Sequence, residues 1–179
     1  MTVLPIRHFP DDQVLRQKAK KVSHIDGSVQ RLIDNMIETM QRANGVGLAA
    51  PQVGVSLRVI VVQMPGEKPV ALINPEIVKR NGEQQVNEGC LSVPGYYGEI
   101  KRSASVTLKG KDRNGKEIRI RTEGLMAEAL EHETDHLDGK LYIDHVDDTT
   151  KLHRIEQEKV SEQDFVEMDT HSGGNSSEL

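Results

Sequence analysis

His132-Glu133-Thr134-Asp135-His136 sets two imidazoles four residues apart with a carboxylate between them. Residues i and i+4 of a helix share a face, so His132 and His136 can grip one metal ion. Glu133 then lies beside the metal's open position, where it can take a proton from a bound water. Two histidines leave a metal under-coordinated, because a catalytic zinc-type site takes three protein ligands and a water. The third ligand is open on these residues alone: a carboxylate would serve, and so would Cys90. Cys90 stands in Glu88-Gly89-Cys90-Leu91-Ser92 after a strand-like segment, and Gly89 lets the backbone turn tightly beside the thiol. A thiolate binds borderline metals strongly. Taken alone, however, a single cysteine reads as a small buried hydrophobe.

A scaffold must bring these groups together. Val29, Leu32, Ile33, Met36, Ile37 and Met40 recur at helical spacing and predict an amphipathic helix, with Asp26 as N-cap and Gly45, after Asn44, as its stop. Gly45-Val46-Gly47-Leu48-Ala49-Ala50-Pro51-Gln52 is small, apolar and uncharged, suited to close backbone approach by a strand or a ligand. Arg58 to Gln63 and Val70 to Ile73 read as buried strands, and Asn81-Gly82 and Asn114-Gly115 as hairpin turns. Val106 and Leu108, then Ile118 and Ile120, alternate as strands with one face on a core.

A second helix is predicted from about Leu125 to Leu137, ended by Gly139. Leu125, Ala129, His132 and His136 share one of its faces, while Leu130 and Leu137 load another, so it should be buried. Thr149 to about Gln163 reads as a final, weakly amphipathic helix, and His171 to Leu179 as flexible tail. The expected architecture is α+β. Antiparallel or mixed sheets pack around the histidine-bearing helix, with a C-terminal helix, in one catalytic domain over residues 1–166 and a tail over 167–179.

Composition narrows the function classes. With 179 residues the chain can bury a core, which must rest on Val, Ile, Leu, Met and Ala, since Phe9, Tyr96, Tyr97, Tyr142 and Phe165 are its only aromatics. The net charge of -5 argues against direct nucleic-acid binding. No apolar run is long enough for a membrane span, and the N-terminus lacks the regions of a secretory signal. A single cysteine excludes an internal disulfide, so a reducing cytoplasm is the expected compartment.

Gly45 to Gln52, Glu88 to Ser92 and His132 to Leu137, in that order, resemble the three signature motifs of the peptide deformylases. The likeness runs from the N-terminus to about Asp144, with Pro5 and Leu141-Tyr142-Ile143-Asp144 included. It implies removal of the formyl group from the N-terminal formylmethionine of new polypeptides, with release of formate. It implies Cys90, His132 and His136 as ligands of one Fe(II), for which zinc, nickel or cobalt can substitute, and Glu133 as the catalytic carboxylate. Gln52 and the backbone N–H of Leu91 would stabilise the oxyanion. Val46, Gly47 and Gly89 would pair with the peptide like an added strand, and Leu125 and Ala129 would line the methionine pocket. For Leu125 and Ala129, ordinary helix core is the competing reading. The ribosome exit region is a further implied partner.

Some positions depart from the family pattern. Glu131 stands where Gln is usual, Thr134 where an apolar residue is usual, and Glu128 either points to solvent or alters substrate preference. The acidic segment after Lys151 sits poorly with the basic terminal helix of some family members. Arg102 reads either as a partner of Glu88 or Asp135 or as a plain surface ion pair. His8, His24, His145, His153 and His171 read as structural or exposed. Two other functions remain open: a broader H-E-x-x-H metallopeptidase, and a silent metal- or peptide-binding module.

Overall fold

The computed structural model describes residues 1–156. The later part of the expected terminal helix, the domain limit at 166, the 167–179 tail and His171 lie outside the described residues. Helix α1 (Gly27–Arg42) starts as expected, with the Asp26 carboxylate accepting from the Ser28 and Val29 amides at 2.9 and 3.1 Å. It ends at Arg42, before Gly45, and Asn44 takes the left-handed backbone (φ 53°). Asparagine tolerates that conformation better than most side chains, so the glycine is not needed for the stop.

Five strands form one antiparallel sheet: β1 (Gly47–Ala49), β2 (Val59–Val62), β3 (Val70–Asn81), β6 (Ser105–Lys111) and β7 (Glu117–Glu123), in the order β1-β2-β3-β6-β7. A second sheet has the order β4-β5-β8, from β4 (Gln84–Cys90), β5 (Val93–Arg102) and β8 (Leu152–Arg154). The α+β class is as expected. Asn114-Gly115 does join a hairpin, β6 to β7, with Gly115 at φ 82° and Leu108 opposite Ile120.

Asn81-Gly82 does not close a hairpin. Gly82 has the positive φ of a tight turn (65°), but β3 pairs with β6 while β4 pairs with β5. The turn hands the chain from one sheet to the other. What overrides the local signal is packing: Val86 lies opposite Ile100, and both join Leu141 and Tyr142 in a core of their own. The segment from Thr149 is likewise not helical where described. After a single 3-10 turn at Thr149–Lys151 it becomes β8, which pairs Leu152 with Gly98 and His153 with Tyr97. The His153 ring stacks on Tyr97 at 4.9 Å and its Nε2 lies 2.7 Å from Glu99, contacts that a helix would forfeit.

Helix α2 (Gly124–Leu137) is clasped by the larger sheet. Ala127, Ala129, Leu130 and Leu137 pack with Ile60, Val62, Leu72 and Leu108. Its C-terminal carbonyl at Leu137 accepts from the Ala19 amide at 2.8 Å and from Arg58 Nη1 at 3.0 Å, so the helix end is both capped and tethered. Gly139 then breaks it at φ 72°, where a Cβ would lie 2.6 Å from the Arg16 carbonyl oxygen. Both backbone strain and collision oppose any side chain there. Gly139→Ala should therefore destabilise the fold by ~2 kcal/mol or more, a fall of roughly 4–8 °C in thermal midpoint. An unchanged midpoint in a thermal melt would contradict this account of the helix stop.

Candidate active site

A strand of the smaller sheet and the helix packed on the larger one meet at the site. Strand β4 delivers Cys90 at its end, and α2 delivers His132 and His136 on one face. The ligand atoms of the three all lie within 4.8 Å of one another, with Cys90 Sγ 3.4 Å from His136 Nε2. The Nδ1 of His132 lies 2.6 Å from Glu88 Oε2. Burial disfavours the charged form of Glu88, but hydrogen bonds from His132 and Arg102 outweigh it and hold its pKa below the ordinary value. The carboxylate only accepts, so Nδ1 carries the proton and Nε2 is left as the donor atom.

The electrostatics of the three groups call for a cation. Burial lowers the pKa of His136 far below normal, so its imidazole is neutral, as a ligand must be. Burial also acts against charge on His132, yet its hydrogen bonds to Cys90 and Glu88 and the field of Glu133 raise its pKa well above normal. A thiol and two imidazoles suit borderline metals, and the donor set fits one.

Glu133 is buried, and its Oε2 has no hydrogen-bond partner among the described residues. Burial raises its pKa to about 7, with His132 opposing and Glu88 adding to the shift. The space it occupies exists because residue 47 is glycine: a Cβ there would come 2.8 Å from Glu133 Cδ. Gln52, also buried, is oriented by its own Oε1, which accepts the Ala49 amide at 2.9 Å. Its Nε2 thereby points at Ser92 Oγ (3.2 Å) and Cys90 Sγ (3.5 Å), toward the site. Leu91 follows Cys90 directly, so its backbone N–H lies beside the thiol.

A cavity of about 510 Å³ opens over these groups. Val46, Gly47, Gly89, Leu125 and Ala129 all line it, as do Gln52, Leu91 and Glu133. Gly47 belongs to β1 and Gly89 to β4, each an edge strand of its sheet among the described residues, so the cavity is lined by two strand edges. Leu125 is 46% exposed at the rim and is not helix core, whereas Ala129 is buried and serves both core and cavity. Glu128 faces the cavity, half-buried, and burial raises its pKa.

Sequence reasoning missed the opposite wall, made by Pro94, Gly95, Tyr96 and Ile155. Ile155 reaches it because its amide donates to the Gly95 carbonyl at 2.8 Å, a consequence of β8 that no local pattern announced. It also missed Ser92, fully buried beneath Gln52. Arg102 is no surface ion pair, with only 4% of its side chain exposed.

The family profile described as polypeptide deformylase matches residues 3–152. A peptide deformylase of Dehalococcoides mccartyi is 59% identical over 156 residues, covering 87% of this chain and 93% of the relative. That of Thermodesulfovibrio yellowstonii is 55% identical over 150 residues, covering 82% and 90%. The chain belongs to the peptide deformylase family. Among solved structures, the Legionella pneumophila deformylase superposes with a TM-score of 0.80 at 46% identity, covering 84% of this chain and 89% of that one. The Synechococcus elongatus deformylase, in complex with actinonin, gives 0.79 at 42% identity, covering 83% and 81%. This deformylase is a hydrolase that removes the N-formyl group from nascent polypeptides. Its family is metal-dependent, and Cys90, His132 and His136 form a possible metal site. No helix among the described residues is long and apolar enough to cross a membrane.

Two outcomes are expected from the surroundings of Glu133. Gly47→Ala should displace the carboxylate and cut deformylase turnover by about 100-fold or more, with circular dichroism and metal content retained; near-normal turnover would refute the steric role of Gly47. The second concerns the metal-free protein. Its folded state keeps the Glu133 proton up to about pH 7, while the unfolded chain releases it near the ordinary value of 4.5. The stability tied to that proton is full below 4.5 and lost as pH rises toward 7. Urea midpoints should therefore drop more between about pH 5 and about pH 8 in the wild type than in Glu133→Gln. Identical drops would mean that Glu133 is not protonated in the metal-free site.

Proposed function

We propose that residues 1–166 form one catalytic domain in which Cys90, His132 and His136 hold a single Fe(II), replaceable by zinc, nickel or cobalt. The observation that carries this reading is the convergence of the three donors within 4.8 Å beside a buried carboxylate with an unpaired oxygen. Bound there, the metal supplies Lewis acidity, lowering the pKa of water and polarising the formyl carbonyl.

The chain's own groups then perform the hydrolysis. An extended formylmethionyl peptide lies between the β1 and β4 edges, with Val46, Gly47 and Gly89 pairing with its backbone as an added strand does. Its methionine side chain rests against Leu125 and Ala129. As water attacks the formyl carbon, Gln52 Nε2–H and the Leu91 N–H donate to the oxygen on which negative charge develops. Glu133 takes the proton of the attacking water and returns it to the amine nitrogen as the C–N bond breaks, so formate and a free N-terminus leave. A carboxylate whose pKa sits near neutrality in the metal-free site is poised for both transfers. Action on nascent chains supports a cytoplasmic setting and contact with the ribosome exit region.

Anaerobically prepared, iron-loaded protein should release formate from a formyl-Met dipeptide and leave an unformylated peptide panel intact. Cleavage within that panel would favour a general metallopeptidase, and no turnover at full metal occupancy would favour a silent binding module. Glu133→Ala should bind metal normally yet lose about 100- to 10,000-fold in turnover; retained activity would remove Glu133 from its role.

A further inference from the structure

The metal-site helix is connected to a second surface of the molecule by an unbroken line of hydrogen bonds. His145 Nε2 lies 2.8 Å from Asp135 Oδ2. The same oxygen accepts from Arg102 Nη1 at 2.7 Å. Arg102 in turn grips Glu88 with two bonds, Nε to Oε1 at 2.7 Å and Nη2 to Oε2 at 3.0 Å. Glu88 Oε2 then meets His132 Nδ1 at 2.6 Å. Four links thus separate His145 from His132. At the far end, His145 is 35% exposed and faces a cavity of about 160 Å³ beside Glu99, Lys101, Asp147 and Lys151.

Asp135 is ion-paired to the Arg102 guanidinium at 2.7 Å, so its carboxylate is ionised and only accepts. His145 must therefore present Nε2–H, and Asp135 Oδ2 is held by two donors at once. Without the imidazole, Asp135 keeps Arg102 as its single side-chain partner and can turn toward solvent. The guanidinium would lose the fixed second anchor that sets its approach to Glu88.

The turn that carries His145 touches the same ligand from another side. Tyr142 and His145 bound one 3-10 segment, and the Tyr142 ring lies near-parallel to His132, with centroids 6.3 Å apart. Tyr142 faces the ring, while Glu88, at the end of the line from His145, holds its Nδ1 edge. Because His145 is largely at the surface, its removal leaves little cavity, and its effect should be specific to the site.

We propose that His145 is a positioning residue for the metal centre, fixing Asp135 and through it Arg102, Glu88 and the ring of His132. This rests on the assignment of Cys90, His132 and His136 as ligands. The test uses cobalt-loaded protein, its visible spectrum, and the rate of cobalt release to excess EDTA. His145→Phe should release cobalt about tenfold faster than wild type and shift the ligand-field bands, while the metal-free thermal midpoint stays within a few degrees. His145→Gln, which keeps an N–H donor at similar reach, should return the release rate to within about twofold. Wild-type release and spectrum in His145→Phe would overturn the proposal. So would equal loss in both variants with a lowered metal-free midpoint, the mark of a merely structural role. If wild-type cobalt protein lacks a thiolate charge-transfer band, the ligand assignment itself fails and takes this inference with it.

Discussion

Arg102 lies at the end of β5 with 4% of its side chain exposed, between Glu88 of β4 and Asp135 of α2. The strands belong to the smaller sheet, and the helix packs into the core of the larger one. Its guanidinium is therefore a polar tie across the boundary at which Cys90 must meet His132 and His136. A buried cation is costly unless every donor is met, and loss of one partner from such a pair costs about 3–5 kcal/mol. Glu88 spends both oxygens on Arg102 and one of them also on His132, so the ion pair and the orientation of the His132 ring cannot be separated. The relative placement of the two sheets and the geometry of the site are one constraint.

Small residues complete what the ion pair begins. Gly47 leaves room for the Glu133 side chain, and Gly98 leaves room for Tyr142, whose Cε2 would sit 3.1 Å from a Cβ there. Both absences let a large group from α2 or the following turn press against a strand. The cavity that results is bounded by two sheet edges, which present backbone donors and acceptors in place of a specific side-chain code. That suits a substrate class defined by its N-terminal group and tolerant of variation in the residues beyond it.

The parts legible in the sequence are those whose cause is local. Asp26 caps α1 because a carboxylate before a helix meets free amides, and Gly139 ends α2 because the backbone turns to positive φ. The two histidines share a face through helical spacing alone. The hairpin at Asn114-Gly115 is local too, but Asn81-Gly82 has the same chemistry and a different outcome. A turn fixes how the chain reverses, not which strand receives it; that is decided by cores built from Val86, Ile100, Leu141 and Tyr142, remote in sequence. Likewise Ile155 enters the cavity wall through β8, whose pairing with β5 depends on contacts across more than fifty residues. The motif order joined Cys90 to the histidines, and of the two readings of Arg102 it is burial, set where the end of β5 meets α2, that selects the partner of Glu88 and Asp135 over the surface pair.

Glu131 shows how a departure from the family pattern can be read from its donors. Its carboxylate accepts from the Ser103 amide at 2.8 Å, the Ser103 hydroxyl at 2.9 Å and Arg80 Nε at 2.9 Å. A carboxylate accepts from all three, whereas a glutamine keeping its oxygen on Ser103 Oγ and Arg80 Nε would turn its NH2 toward the Ser103 amide, donor against donor. Glu131 and Asp135 stand one helical turn apart and anchor α2, one to Ser103 and Arg80, the other to the adjacent Arg102. Thr134 stays within the helix, its hydroxyl donating to the Leu130 carbonyl at 2.7 Å. The helix is thus anchored through Glu131 and Asp135, and that anchorage sets the rotation at which His132 and Glu133 line the cavity with His136 buried behind them.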